Sequence, residues 1–204
     1  MTKYVERFNT AERVLHWFVA ASFFTLLLSG LGLYARMFHG YFNFFGGGEN
    51  AILVHKYAGV IFFFSSLLLF FNHGREMMTF DDDDREWFRT LGGYLSRDPS
   101  HVNSGKFNAG QKGFGIFMGI ATLLLGVTGI INWFPASFPR GVVQFSLMAH
   151  GLLFVLFVMI MIVHIYLTTI GNPGTLESMI YGNVRKIWAK THHPKWYREI
   201  TEGK

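Results

Sequence analysis

Four long apolar stretches dominate the pattern along the chain: Val14 to Tyr34, Ala51 to Phe71, Gly113 to Phe134 and Val143 to Ile170, of 21, 21, 22 and 28 residues. Each approaches or exceeds the ~20 apolar residues needed to cross the hydrocarbon layer of a membrane. Lys56 is the only Lys, Arg, Asp or Glu inside them. The pattern predicts four spanning helices at about 14–35, 51–72, 111–134 and 143–170, a connection at about 73–110 and a polar tail at 171–204. The fold class expected is all-α, an integral membrane four-helix bundle forming one domain over 1–204, since neither an internal repeat nor a low-complexity linker interrupts it.

The connection contains Asp81-Asp82-Asp83-Asp84 followed by Arg85-Glu86-Trp87-Phe88-Arg89. Aspartates suit a helix N-terminus, and a connection this long tends to carry structure of its own. A short helix is therefore expected to begin near them, with the acidic run as a solvated cap rather than a metal site.

Composition narrows the class. The 204 residues are 50% hydrophobic and 15% charged, against about 25% charged in soluble domains, so an ordinary soluble core is excluded. The absence of cysteine removes disulfides, thiolate zinc sites, cysteine nucleophiles, iron–sulfur ligation and covalent haem attachment. Nine His, nine Met and the acids remain as metal ligands.

The net charge of +5 suggests nucleic acid until its distribution is considered. If the helices alternate in direction, 15 of the 18 Lys and Arg fall with the termini and the central connection, and Arg36, Lys56 and Arg140 fall on the other side. Such asymmetry is the positive-inside signal, which predicts cytoplasmic termini in a bacterial inner membrane and no nucleic-acid partner. The first run exceeds the about 7–15 apolar residues of a signal-peptide core, and no small-x-small cleavage site follows Tyr34, so it is expected to stay as a span.

Imidazole is uncommon inside membrane helices and tends to mark function there. Given the alternating topology, His16 lies near the cytoplasmic end of the first helix and His55 near the outer end of the second. His150 begins the fourth helix at the outer side, and His164 follows 14 residues later, about 21 Å further in. Fourteen residues are nearly four full turns, so His150 and His164 share one helix face. His55 can therefore meet His150 at an outer level and His16 can meet His164 at an inner one. Two neutral imidazoles at each level suit axial ligation of two stacked b haems, although interhelical hydrogen bonding is the plainer role for any one of them. His39, His73, His101, His192 and His193 fall in predicted loops or at helix ends and are expected to be solvated; His39 and His73 are the competitors, each near one of the two levels. Gly30, Gly59, Gly115, Gly119, Gly126, Gly129 and Gly151 leave room for a macrocycle or simply allow close helix packing.

Lys106-Phe107-Asn108-Ala109-Gly110-Gln111-Lys112 opens the third spanning helix. Asn108 and Gln111 have capping-box spacing, and the same residues could line a polar pocket that hydrogen-bonds a quinone carbonyl. The tail mixes Arg185, Lys186, Lys190, Lys195 and Arg198 with Trp188, Trp196 and Tyr197, as expected for an interfacial anchor on anionic lipid. The adjacent His192 and His193 point different ways on a helix, which argues against metal capture.

These residues resemble the cytochrome b (gamma) subunits of respiratory membrane-bound formate dehydrogenases over nearly the whole chain. The resemblance rests on His16-Trp17 with Ser29-Gly30, His55, Lys106 to Lys112, the His150/His164 pair, and Trp188-Ala189-Lys190 with His192-His193-Pro194-Lys195-Trp196-Tyr197-Arg198-Glu199. It implies two haem b groups, with His55 and His150 ligating the outer one and His16 and His164 the inner. Asn108, Gly110 and Gln111 would match a quinone site, with menaquinone as substrate, close to the inner haem. The implied partners are an iron–sulfur beta subunit and a molybdenum or tungsten catalytic alpha subunit on the periplasmic side. Electrons from formate would cross inward to quinone, an electrogenic step of about 2.3 kcal/mol per charge per 100 mV, with protons taken from the cytoplasm. The sequence departs from the family at Lys56-Tyr57-Ala58, where Lys56 could meet a haem propionate, a partner subunit or simply water. The four histidines would equally suit a nickel–iron hydrogenase or thiosulfate reductase cytochrome, and a haem-free anchor or small transporter is the reading from a different class.

Overall fold

The computed structural model describes residues 3–93 and 103–203, so Arg97, His101 and Lys204 lie outside the described residues. Strand β1 (Tyr4–Glu6) leads into α1 (Thr10–Tyr34), a 3-10 segment (Arg36–Phe45) and α2 (Gly48–Met78). Then come α3 (Asp82–Thr90), α4 (Ala109–Trp133) and α5 (Arg140–Tyr166), the last extended by a π-helical turn at Leu167–Gly171. Helix α6 (Thr175–Ile180), strand β2 (Asn183–Arg185), α7 (Lys186–His192) and α8 (Pro194–Glu202) complete the chain. Four helices have the length and apolarity to cross a membrane, Thr10–Tyr34, Gly48–Met78, Ala109–Trp133 and Arg140–Gly171, with mean hydropathies of 1.8, 1.8, 2.2 and 2.5. Their outward surfaces carry large apolar side chains such as Phe64, Phe71, Phe145 and Leu152, an arrangement stable in lipid rather than water. The protein is thus an all-α membrane bundle.

Three helices start with the same local device. Asn9 and Glu12, Asp81 and Asp84, and Asn108 and Gln111 each exchange side-chain-to-backbone hydrogen bonds across one turn, at 2.7–3.1 Å. Each pair satisfies two amide groups that a helix start otherwise leaves open. Between α4 and α5, Pro135 and Pro139 stop one helix and start the next, since proline lacks the amide that a helix interior requires.

The chain divides into two compact units. One comprises Val14–Leu69 and Gly119–Ile165 and is built on a seven-residue interval. His16, Phe23 and Gly30 are seven apart, as are His55 and Phe62, and His150, Phe157 and His164. Seven residues return to within ~20° of the same helix face and advance ~10 Å. Phe23 and Phe62 meet Phe157 with ring centroids 5.7 and 5.8 Å apart, and all three are buried. An aromatic layer therefore lies two turns from either histidine level.

The second unit comprises the described residues of Met1–Arg13, Phe70–Met118 and Tyr166–Lys204. Strands β1 and β2 pair antiparallel, with Val5 opposite Val184, and Val184, Trp188, Ala189 and Trp196 form its core with Val5 and Tyr197 packed against them. Two of the tail's aromatic residues are turned inward rather than outward. Trp188 and Trp196 are buried because they enclose the Arg7 guanidinium, 4.8 and 5.9 Å from their rings, a desolvated cation held by aromatic faces. The solvated cap at the aspartates is corrected in part: Asp81 caps α3, but Asp84 is buried against Lys112.

Candidate haem-binding site

The two outer-level histidines come together. His55 of α2 and His150 of α5 have ring centroids 6.5 Å apart at an interplanar angle of 66°. A metal-bound imidazole nitrogen sits about 2 Å from the metal and ~1.1 Å from the centre of its own ring, so two axial imidazoles on one iron have centroids about 6 Å apart. The pair stands at that separation. Each ring is fixed from behind, with His55 Nδ1 2.9 Å from Ser29 Oγ on α1 and His150 Nδ1 2.8 Å from Thr128 Oγ1 on α4. With both Nδ1 atoms engaged, Nε2 is the nitrogen left to each imidazole for a metal. A Cβ on Gly30 would come within 3.3 Å of His55 Cε1, so glycine gives that ring its room.

At the inner level, His16 and His164 lie near enough that their charged forms would repel, and the buried His16 Nδ1 has no hydrogen-bond partner among the described residues. An unpaired buried imidazole nitrogen is costly unless something occupies the space beside it. The residue types, spacing and orphaned nitrogen suit axial ligation of b-type haem at both levels. No cluster of three or more His, Cys, Asp or Glu able to hold a bare metal ion occurs among the described residues.

The competitor histidines are otherwise engaged. His39 stacks on Phe42 at 5.2 Å. His73 and His193, expected to be solvated, are instead buried. His73 Nε2 lies 3.2 Å from Glu12 Oε1, which is also 3.7 Å from Lys106 Nζ. His193 Nδ1 lies 2.7 Å from the Gly105 carbonyl and Nε2 lies 3.1 Å from Arg7 Nη2. Because a guanidinium can only donate, Nε2 accepts and Nδ1 donates, giving a neutral imidazole. Burial, reinforced by Arg7, holds the His193 pKa well below its usual value of 6.5. Burial also lowers the Arg7 pKa to about 9.

Lys56 Nζ lies over the Trp133 ring, 5.3 Å from its centroid, a cation–π contact rather than a protein carboxylate pair. In the capping box of α4, Asn108 and Gln111 use their amide oxygens, which leaves the amide NH2 groups outside the cap. Gly110 faces Trp87: a Cβ there would stand 2.5 Å from Trp87 Cη2, so this glycine is required by an indole. Sequence reasoning did not single out Ser29 or Thr128 as contacts of the histidines. The signal was present as two hydroxyl–glycine pairs, Ser29-Gly30 and Thr128-Gly129, on two of the spanning helices.

Comparison with known proteins gives the family. The family model described as prokaryotic cytochrome b561 matches residues 7–182. The chain is 32% identical over 199 residues to the formate dehydrogenase cytochrome b556(fdo) subunit of Escherichia coli K12, covering 96% of this chain and 93% of that one. It is 31% identical to the nitrate-inducible formate dehydrogenase cytochrome b556(Fdn) subunit of the same strain, over 99% and 94% of the two chains. The formate dehydrogenase cytochrome b556 subunit of Haemophilus influenzae is 30% identical over 95% of this chain and 82% of its own. The chain therefore belongs to the prokaryotic cytochrome b561 family, a b-type haem membrane protein related to the formate dehydrogenase cytochrome b556 subunits.

Proposed function

We propose that the protein is the di-haem membrane subunit of a formate:quinone oxidoreductase, taking electrons from an iron–sulfur subunit on the periplasmic side and delivering them to quinone on the cytoplasmic side. The observation that carries this reading is the 6.5 Å separation of the His55 and His150 rings, with a second pair formed by His16 of α1 and His164 on the His150 face of α5. His55 and His150 would hold an outer haem, and His16 and His164 an inner one. Bound there, the haems supply one-electron transfer across an apolar layer that no protein side chain could cross with charge.

The chain's own contribution is to orient the imidazoles and to exclude water between the levels, where Phe157 packs against Phe23 at a tilt and against Phe62 edge to face. Asn108, Gly110 and Gln111 would hold the quinone, with the amide NH2 groups of Asn108 and Gln111 donating to its carbonyl oxygen. The excess of Lys and Arg in residues 1–13, 72–112 and 171–204 supports cytoplasmic termini in an inner membrane. Formate oxidation would reside in a molybdenum or tungsten partner, since this chain has no cysteine to ligate such a centre or an iron–sulfur cluster.

Two measurements test the reading. Reduced-minus-oxidised absorbance on the purified complex is expected to give two b haems per chain; a featureless spectrum with the chain present would remove the electron-transfer role. Mass spectrometry of co-purifying chains is expected to find formate dehydrogenase subunits. A hydrogenase large subunit in their place would reassign the electron donor.

A further inference from the structure

We infer that Ser29 and Thr128 are paired positioning residues for the outer haem: each fixes the tautomer of one axial imidazole and strengthens it as a ligand. The inference rests on the reading of His55 and His150 as axial ligands and goes beyond it, since neither hydroxyl belongs to the ligand set.

Donor counting assigns the tautomer. A hydroxyl has one hydrogen. The Thr25 carbonyl, 2.7 Å from Ser29 Oγ, and the Leu124 carbonyl, 2.8 Å from Thr128 Oγ1, can each take it. Both are the i−4 carbonyls of the hydroxyl's own helix, in reach by helix geometry alone. With its hydrogen so used, each oxygen can only accept from the imidazole beside it, at 2.9 and 2.8 Å. The hydrogen between them therefore belongs to Nδ1 of His55 and of His150. The lone pair is then on Nε2, the form needed to bind iron.

The two arrangements are equivalent in detail. In each, a hydroxyl residue is followed by glycine, the hydroxyl meets Nδ1, and the glycine flanks Cε1 of the same ring, where a Cβ would stand 3.3 Å from His55 Cε1 or 3.6 Å from His150 Cε1. The hydroxyl sets the ring's rotation and the glycine leaves the space into which it rotates. Helix α5 is tied to the same point a second time, because the buried Ser146 donates to the Thr128 carbonyl at 3.0 Å, one turn before His150. Ser29 is itself fully enclosed, so no water can take its place as acceptor.

An imidazole whose Nδ1–H is hydrogen-bonded is a more basic ligand and favours the ferric state. Loss of either hydroxyl should therefore raise the midpoint potential of one haem, and the same haem in both cases. The test is a mediated redox titration of b-haem absorbance on the intact complex, comparing wild type with Ser29→Ala, Thr128→Val and the hydroxyl-retaining Thr128→Ser. Both hydroxyl-free variants are expected to keep two haems per chain and to move upward the midpoint of the component that His55→Ala removes, while Thr128→Ser stays at the wild-type value. Unmoved midpoints with both haems bound would overturn the inference alone. So would a shift in the component that His16→Ala removes. If Thr128→Val loses a haem, Thr128→Ser decides: full haem content at the wild-type midpoint supports the role of the hydroxyl, and the same loss overturns it. Absence of b haem from the wild-type complex would overturn both the inference and the functional reading beneath it.

Discussion

Lys112 Nζ, at the start of α4, lies 2.5 Å from Asp84 Oδ2 in α3, and both side chains are buried. Lys112 also donates to the Thr79 carbonyl at 2.8 Å, and Asp84 accepts from its own helix start through the Asp81 amide. An ion pair satisfied on both sides costs little to keep and much to break: removing one partner leaves an uncompensated buried charge, worth about 3–5 kcal/mol. Asp84→Asn and Lys112→Met are each expected to lower the thermal unfolding midpoint of the purified protein substantially, whereas Asp84→Leu combined with Lys112→Met should recover part of the loss. Equal losses in the single and double variants would show that the pair contributes only through packing.

The histidine levels give a pairing that spectroscopy can read. His55→Ala and His150→Ala are expected to remove one and the same spectral component, and His16→Ala and His164→Ala the other. Loss of different components within a supposed pair would dissolve the two-level arrangement.

The buried His193 makes the docking of the tail pH-dependent. Its folded pKa is depressed by burial, and next by Arg7. The unfolded tail therefore binds a proton that the folded tail does not, and stability is fully present above the unfolded value of about 6.5 and falls as pH drops below it, by at most ~1.4 kcal/mol per pH unit. Amide hydrogen exchange over 186–202 should accelerate relative to intrinsic rates between pH 7 and 5. His193→Gln should flatten that dependence. Lys195 adds a second, less acid-sensitive tie: it holds the Asp81 carboxyl down to about 2, so this contact is complete above pH ~4 and is lost as pH falls toward 2.

The capping box and the proposed quinone contacts are separable at Gln111. A Glu there keeps the oxygen that caps Asn108 N but replaces the amide NH2, so Gln111→Glu is expected to leave the unfolding free energy within ~0.5 kcal/mol of wild type. Quinone reduction should slow at least tenfold while formate-driven haem reduction keeps its rate. Wild-type quinone turnover in this variant would assign the segment to helix capping alone. Asn108→Ala, by contrast, should cost about 1 kcal/mol of stability through the lost cap.

Much of this was legible before any coordinates. The spans follow from runs of apolar residues, and the shared face of His150 and His164 follows from a spacing of 14 residues, because both depend on local helix geometry. The capping boxes at Asn108/Gln111 and the aspartates were readable for the same reason. His193 was not: a histidine between two short helices looks solvated until Arg7, some 186 positions away, is found to need it. The burial of Trp188 and Trp196 was likewise not legible, because nothing local shows that these indoles enclose a cation from the other end of the chain.

The sequence by itself determined how many helices are long and apolar enough to cross a membrane, and which helix faces carry imidazole. Those properties are set by transfer free energies and by a fixed rotation per residue, both summed over neighbours in the chain. Only the tertiary structure decided that Ser29 and Thr128 stand within hydrogen-bond distance of Nδ1 of His55 and His150, that Asp84 neutralises Lys112, and that Arg7 is buried among tryptophans. Each of those depends on which of several similar groups comes within about 3 Å, and a hydrogen bond or ion pair falls away too steeply with distance for any one-dimensional pattern to choose among them.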